Sequence, residues 1–249
     1  RFSKGRAGTG NDLAGHSFGN LFITAMAAIT GSFEQAVAES GKVLAIRGQI
    51  LPSTLQDVTL YADVAAETGS EQVKGESAIP HSAHPIERVY LKPDTPPAYP
   101  GALRAILDAD LIVLGPGSLF TSLLPNLLVP ELAQAIRAGR APKLYIANVA
   151  TQPGETEQFT LADHIRALEA HVGPGLFSRV VANNNLTLPL PAEPPVNLVN
   201  PTLADKMRYE LVPGDIISAN TPWRHDPDKL AGHIIAWFQS TAQKQVEFE

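Results

Sequence analysis

The 249 residues are 44% hydrophobic and 18% charged, with 7 His, no Cys and a formal net charge of -6. Such a chain buries a full core in one domain; its charge offers no basic field to nucleic acid or an anionic membrane, and without cysteine it forms neither disulfides nor thiolate metal sites. No apolar run reaches the ~18 residues that span a bilayer, no charged-then-apolar leader opens the chain, and the cytoplasm is the expected compartment. The chain starts at Arg1 rather than Met, in what reads as a loop.

Residues 1 to 15 are polar and Gly-rich. From His16 to Thr30, Phe18, Leu21, Phe22, Ala25, Met26 and Ile29 recur at helical spacing, and Gly31 closes the pattern. Ser32 with Gln35 predicts a capped second helix to about Ser40. Beyond Pro52 the period shortens, and stretches 58–64, 73–79 and 86–91 read as three strands of an inserted β-meander spanning 57–91. Strand and helix then alternate, the pattern of a parallel sheet covered on both faces. Strands are expected at 111–114, 143–149, 179–182 and 208–212. Helices are expected at about 130–138, from Thr160 to before Gly173, and from Asp226-Pro227 onward, the last with Leu230, Ile234, Ile235 and Phe238 on one face. Residues 189–201 read as a surface loop and 241–249 as a frayed tail. The expected fold class is α/β: one Rossmann-like, three-layer parallel-sheet domain over 1–240 with the meander inserted.

The strongest local signal is Asp110-Leu-Ile-Val-Leu-Gly-Pro-Gly-Ser-Leu-Phe-Thr-Ser122. An apolar strand running into a tight glycine turn directs backbone N–H groups to the carboxyl edge of the sheet, where α/β proteins bind ligands. Gly115, Gly117, Ser118 and Leu119 form that turn, and Ser118, Thr121 and Ser122 add hydroxyl donors. Such a set holds a diphosphate without a large positive charge; it equally describes a tight turn with capping hydroxyls. No Gly-Lys-Ser/Thr follows, and Phe120 stands where a dinucleotide fingerprint needs glycine, which disfavours a nicotinamide-dependent dehydrogenase. His16 and Asn20 share a helix face and suit either a ligand or local backbone. Asn183 and Asn184 follow an apolar strand and suit base or ribose hydroxyls, or an Asx turn. Asn148 ends a strand on the same edge. Arg224, just before the last helix, can grip phosphate or a carbonyl, or stand unpaired on the surface. His81 and His84 lack further metal ligands in sequence, and no catalytic Ser elbow or His-Glu-x-x-His motif occurs.

Three phrases in order, Gly15-His-Ser-Phe-Gly-Asn20, Ile46-Arg-Gly-Gln-Ile-Leu-Pro-Ser53 and Leu114-Gly-Pro-Gly-Ser-Leu-Phe-Thr-Ser-Leu-Leu-Pro-Asn-Leu-Leu-Val129, resemble the YvcK-like gluconeogenesis factor family, UPF0052. That family is similar in fold to the CofD-like phospholactate transferases. The resemblance covers residues 11 to 238, and the third phrase is its most specific part. It implies a regulator of central carbon metabolism and cell shape that binds a UDP-sugar without established catalysis. It implies the same role for Arg224, through the family's arginine in the matching segment. The alternative it implies is a transferase moving a phospho-organic acid from a nucleotide-activated donor with Mg²⁺. The family's N-terminal glycine-rich strand turn and its Asp-Asp-Gly-Gly-Ser-Ser-Gly segment are not among these residues. The expected partner is therefore a nucleotide-sugar small molecule, and a homodimer is left open.

Overall fold

The computed structural model describes residues 18–246 apart from 68, 194 and 204–206. Two helices come first: α1, Phe18–Thr30, and α2, Phe33–Val43. Gly31, at φ +79, turns the chain between them, and the Ser32 side chain accepts a hydrogen bond from the Gln35 amide at 3.1 Å, as its capping role predicts.

The meander forms an antiparallel sheet of β1, Thr59–Ala66, β2, Gly69–Lys74, and β3, Ile86–Lys92, in the order β2-β1-β3. Leu60, Ala62 and Val64 alternate inward with Val89 and Leu91, the period of a half-buried strand. The second strand differs from the expected 73–79. Gly75, at φ +98, ends it, and Ile79–His81 makes a 3₁₀ turn that buries Ile79 completely.

A parallel sheet follows, in the order β4-β5-β6-β7: β4 is Ile112–Leu114, β5 Lys143–Ile146, β6 Arg179–Asn183 and β7 Glu210–Gly214. Its helices are α3, Pro100–Leu107, α4, Leu124–Leu127, α5, Pro130–Ala138, α6, Leu161–Val172, and α7, Pro227–Val246. On β5 the side chains of Leu144 and Ile146 pack with Val196, Ile216 and Leu230, whereas Tyr145 and Ala147 pack toward Leu132, Leu168 and the meander. Alternate residues thus feed two apolar layers, which is why the stretch from Leu144 to Ala147 after Lys143 is apolar or aromatic. The meander shares the second layer, and the Val89 amide donates to His171 Nε2 on α6 at 2.9 Å.

Three further stretches depart from the pattern read in sequence. Within 189–201, Val196 and Val199 are buried and an isolated bridge joins Leu198 to Ala150, so this segment is packed against the end of β5. On α7 the inward face runs through Leu230, Ile234 and Trp237, while Ile235 is 55% exposed; a step of five from Leu230 carries it off that stripe. The same helix continues to Val246.

Candidate functional site

The chain leaves β4 at Leu114 and turns at Gly115, whose φ is +89 and whose added Cβ would stand 3.1 Å from the Ile146 carbonyl oxygen. Only glycine fits there without strain. Gly117 is different: a Cβ on it would meet nothing closer than Ser122 Cβ at 3.4 Å. Past Ser118, residues Leu119–Leu123 form one π-type turn in which the Ser122 and Leu123 amides both donate to the Ser118 carbonyl. Leu119 and Phe120 drop into the core. That anchoring leaves Thr121 and Ser122 on the wall of a cavity of about 890 Å³, together with Gly117 and Ser118.

The second wall is the segment after β5. Gln152 Nε2 donates to Ser118 Oγ at 2.9 Å, and Asn148 Nδ2 donates to Gln152 Oε1 at 3.0 Å. Glu155, 6% exposed, accepts a hydrogen bond from Thr121 Oγ1 at 2.6 Å and another from the Phe120 amide at 3.1 Å. Burial pushes the Glu155 carboxyl above the usual range against the pull of those donors, and Glu76 nearby pushes the same way. The turn carrying Glu155 is pressed onto the meander: Gly154 lies at φ +79, and a Cβ there would stand 1.8 Å from the Pro80 carbonyl oxygen. Glu76 and His81 reach the cavity from that side.

Trp223, Arg224 and His225 close the third wall. The Arg224 amide donates to the Thr221 carbonyl and its carbonyl accepts from the Ser218 amide, which fixes the backbone. Its guanidinium is exposed and makes no hydrogen bond or ion pair among the described residues. Asp226 instead caps α7, accepting from the amides of Asp228 and Lys229. His225 Nε2 lies 3.1 Å from the Ala147 carbonyl, and burial lowers its pKa, so it serves as a neutral donor.

Of the residues singled out from sequence, Gly117, Ser118, Thr121, Ser122, Asn148 and Arg224 line this one cavity. Gly115 and Leu119 shape the turn without lining it. Asn183 is buried and committed elsewhere: its Nδ2 donates to the Asn185 carbonyl at 2.7 Å and its Oδ1 faces the Ile216 amide at 3.4 Å. Asn184 is exposed, and its amide donates to the Gly214 carbonyl. His16 lies outside the described residues, as does the side chain of Asn20. Gln152, Glu155, Glu76, His81 and Trp223 were not singled out as ligand contacts. The polar run Thr151-Gln-Pro-Gly-Glu-Thr156, in the segment that follows β5, was the signal for the first two. Among the described residues no three His, Asp or Glu side chains converge as a metal site.

Residues 1–208 match the family described as 2-phospho-L-lactate transferase CofD. The chain belongs to this family. It is 47% identical to the gluconeogenesis factor of Bacillus subtilis over 184 residues, 74% of this chain and 56% of that protein. It is 40% identical to the gluconeogenesis factor of Listeria monocytogenes over 230 residues, 90% of this chain and 70% of that protein. A Nostoc sp. protein is 44% identical over 94% of this chain and 52% of its own length. The chain therefore spans about half the length of the Nostoc and Bacillus relatives. A crystal structure of a UPF0052 family member from Bacillus halodurans superposes with a TM-score of 0.76 at 35% identity, covering 91% of this chain and 74% of that one. The mixed α/β architecture is thus the CofD-family one. Among the described residues no single helix is long and apolar enough to cross a membrane.

Proposed function

We propose that the cavity binds the diphosphate and flanking groups of a nucleotide sugar, a UDP-sugar, and that the protein acts through that binding as a regulator of central carbon metabolism. One observation carries the reading: the open face of Gly117 and the hydroxyls of Ser118, Thr121 and Ser122 share a cavity with Arg224, whose guanidinium has no partner among the described residues. A turn of small residues lets backbone and hydroxyl donors approach phosphate oxygens closely, and an arginine fork takes two oxygens at once. Trp223, at the same rim, offers a flat apolar face to a base or sugar. The name gluconeogenesis factor carried by the Bacillus and Listeria relatives supports the metabolic setting. The cytoplasm is the compartment proposed with it.

A second reading, a transferase of the phospholactate type, is favoured by the description of the matching family. It would use the same turn for a nucleotide diphosphate. Calorimetric titration of the full-length protein with UDP-N-acetylglucosamine and with GTP separates the two. Saturable binding of the first with none of the second supports the sensor, the reverse supports the transferase, and silence toward both refutes the diphosphate site.

A further inference from the structure

A pocket built for a diphosphate should not present a buried carboxylate to it, yet Glu155 is 6% exposed and lines this cavity beside Thr121. The two charge states of Glu155 place the hydrogens differently. When Glu155 is ionised, it can only accept, so the Thr121 hydroxyl at 2.6 Å must give it its proton. Thr121 then shows only lone pairs to the cavity. When Glu155 is protonated, its own O–H donates to Thr121 Oγ1, and the threonine proton is free to rotate toward a phosphate oxygen. The other carboxyl oxygen keeps the Phe120 amide in both states, so the turn need not move.

We propose that Glu155 sets the hydrogen-bond polarity of Thr121 by its protonation, and that the site binds a diphosphate with uptake of one solvent proton at Glu155. This rests on the diphosphate reading above. The charged and titratable groups facing Glu155 agree with it. Glu76 comes from the segment after β2 and disfavours the ionised form, and a bound anion adds to that. Glu157, two residues on, is turned to the Gly154 amide. His81 from the meander and Arg224 and His225 from the third wall share the cavity, and none of them is bonded to Glu155. Glu155 is a positioning residue here, acting on the ligand through Thr121.

The test is calorimetry on the full-length protein with UDP-N-acetylglucosamine, and separately with ADP-ribose as a plain diphosphate diester, in pairs of buffers of different ionisation enthalpy between about pH 6 and about pH 8. Neither diphosphate titrates in this range, so any proton taken up belongs to the protein. We expect uptake approaching one proton as pH rises, with affinity falling by up to about ten-fold per pH unit. Glu155→Gln, whose amide donates to Thr121 as the protonated acid does, should abolish the uptake, flatten the pH profile and bind more tightly than wild type at about pH 8. Thr121→Ser should retain both binding and uptake, and Thr121→Val should bind more weakly. Binding of either ligand without proton uptake, or uptake that survives in Glu155→Gln, overturns the proposal and leaves the diphosphate reading standing. Failure of both ligands to bind overturns the two together.

Discussion

Replacing Arg224 with Ala isolates the ligand term from the fold. The guanidinium is exposed, lines the cavity and holds no partner among the described residues, while the backbone around it is fixed by the Thr221 and Ser218 contacts. Truncation therefore orphans no buried group, and the melting temperature should move by less than the effect of about 0.5 kcal/mol typical of surface changes. Among the described lining residues Arg224 is the sole Lys or Arg, set against Glu76 and Glu155. Losing one charge-assisted contact to phosphate costs about 1.5–3 kcal/mol, or roughly 10- to 150-fold in affinity. Arg224→Lys should recover only part of this, because an ammonium lacks the planar fork. Calorimetric titration of wild type and both variants with UDP-N-acetylglucosamine at one salt concentration measures it. Equal affinities for all three would remove Arg224 from the site.

Gly117→Val should fold, since its Cβ meets only Ser122 Cβ at 3.4 Å, yet bind a UDP-sugar at least about ten-fold more weakly because the branched side chain occupies the phosphate approach; wild-type affinity would count against the turn as the phosphate contact. Gly154→Ala should fail in the opposite way, losing about 2 kcal/mol or more of stability through a left-handed backbone and a clash with the Pro80 carbonyl, visible as a lowered melting temperature. The His164, His171 and His225 pKa values are all lowered, first by burial. His171 is held neutral between the Ala167 carbonyl and the Val89 amide. Because the folded values lie below the unfolded one of about 6.5, this stability is present above that pH and is lost as the solution is acidified below it, by up to about 1.4 kcal/mol per pH unit for each histidine. Glu155, with a raised folded pKa, works the other way. A melting temperature that stays flat from about pH 7 to about pH 5 would refute the histidine account.

Local signals carried much of the fold. The Thr160 and Asp163 side chains close the capping box of α6, and the apolar run at 112–114 is β4, which buries Ile112 and Leu114 while Val113 stays exposed at the edge of the sheet. What misled was pattern without context. Residues 69–74, Gly-Ser-Glu-Gln-Val-Lys, make β2 although five of the six are polar or glycine. They pair along the outer edge of the meander, where hydrogen bonding to β1 rather than burial holds the strand. The α3 helix follows a run of prolines and carries one buried residue, Ala102, so its apolar stripe is faint. Asn183 drew attention as a polar residue after an apolar strand, but its amide satisfies local backbone across a turn.

The site itself was half visible for a topological reason. Along the chain, the acidic residue nearest the Gly115 turn is Asp110, at the wrong end of β4. Parallel pairing of β4 with β5 instead lays the two loops that follow them side by side. Ser118 therefore meets Gln152 across 34 residues, Thr121 meets Glu155 across 34, and the Phe120 amide meets Glu155 across 35. That near-constant offset is the length of one strand-helix-strand unit, so the partners of a ligand turn in such a sheet lie one unit away, after the next apolar strand. Applied at Lys143–Ile146, the rule leads to Thr151-Gln-Pro-Gly-Glu-Thr156, where the carboxyl that faces Thr121 is found. The glycine within that run is held against Pro80, which ties the meander to the loop that orients Thr121. A substitution in the meander that shifts Pro80 is therefore expected to reach the diphosphate turn through Glu155 without touching the ligand.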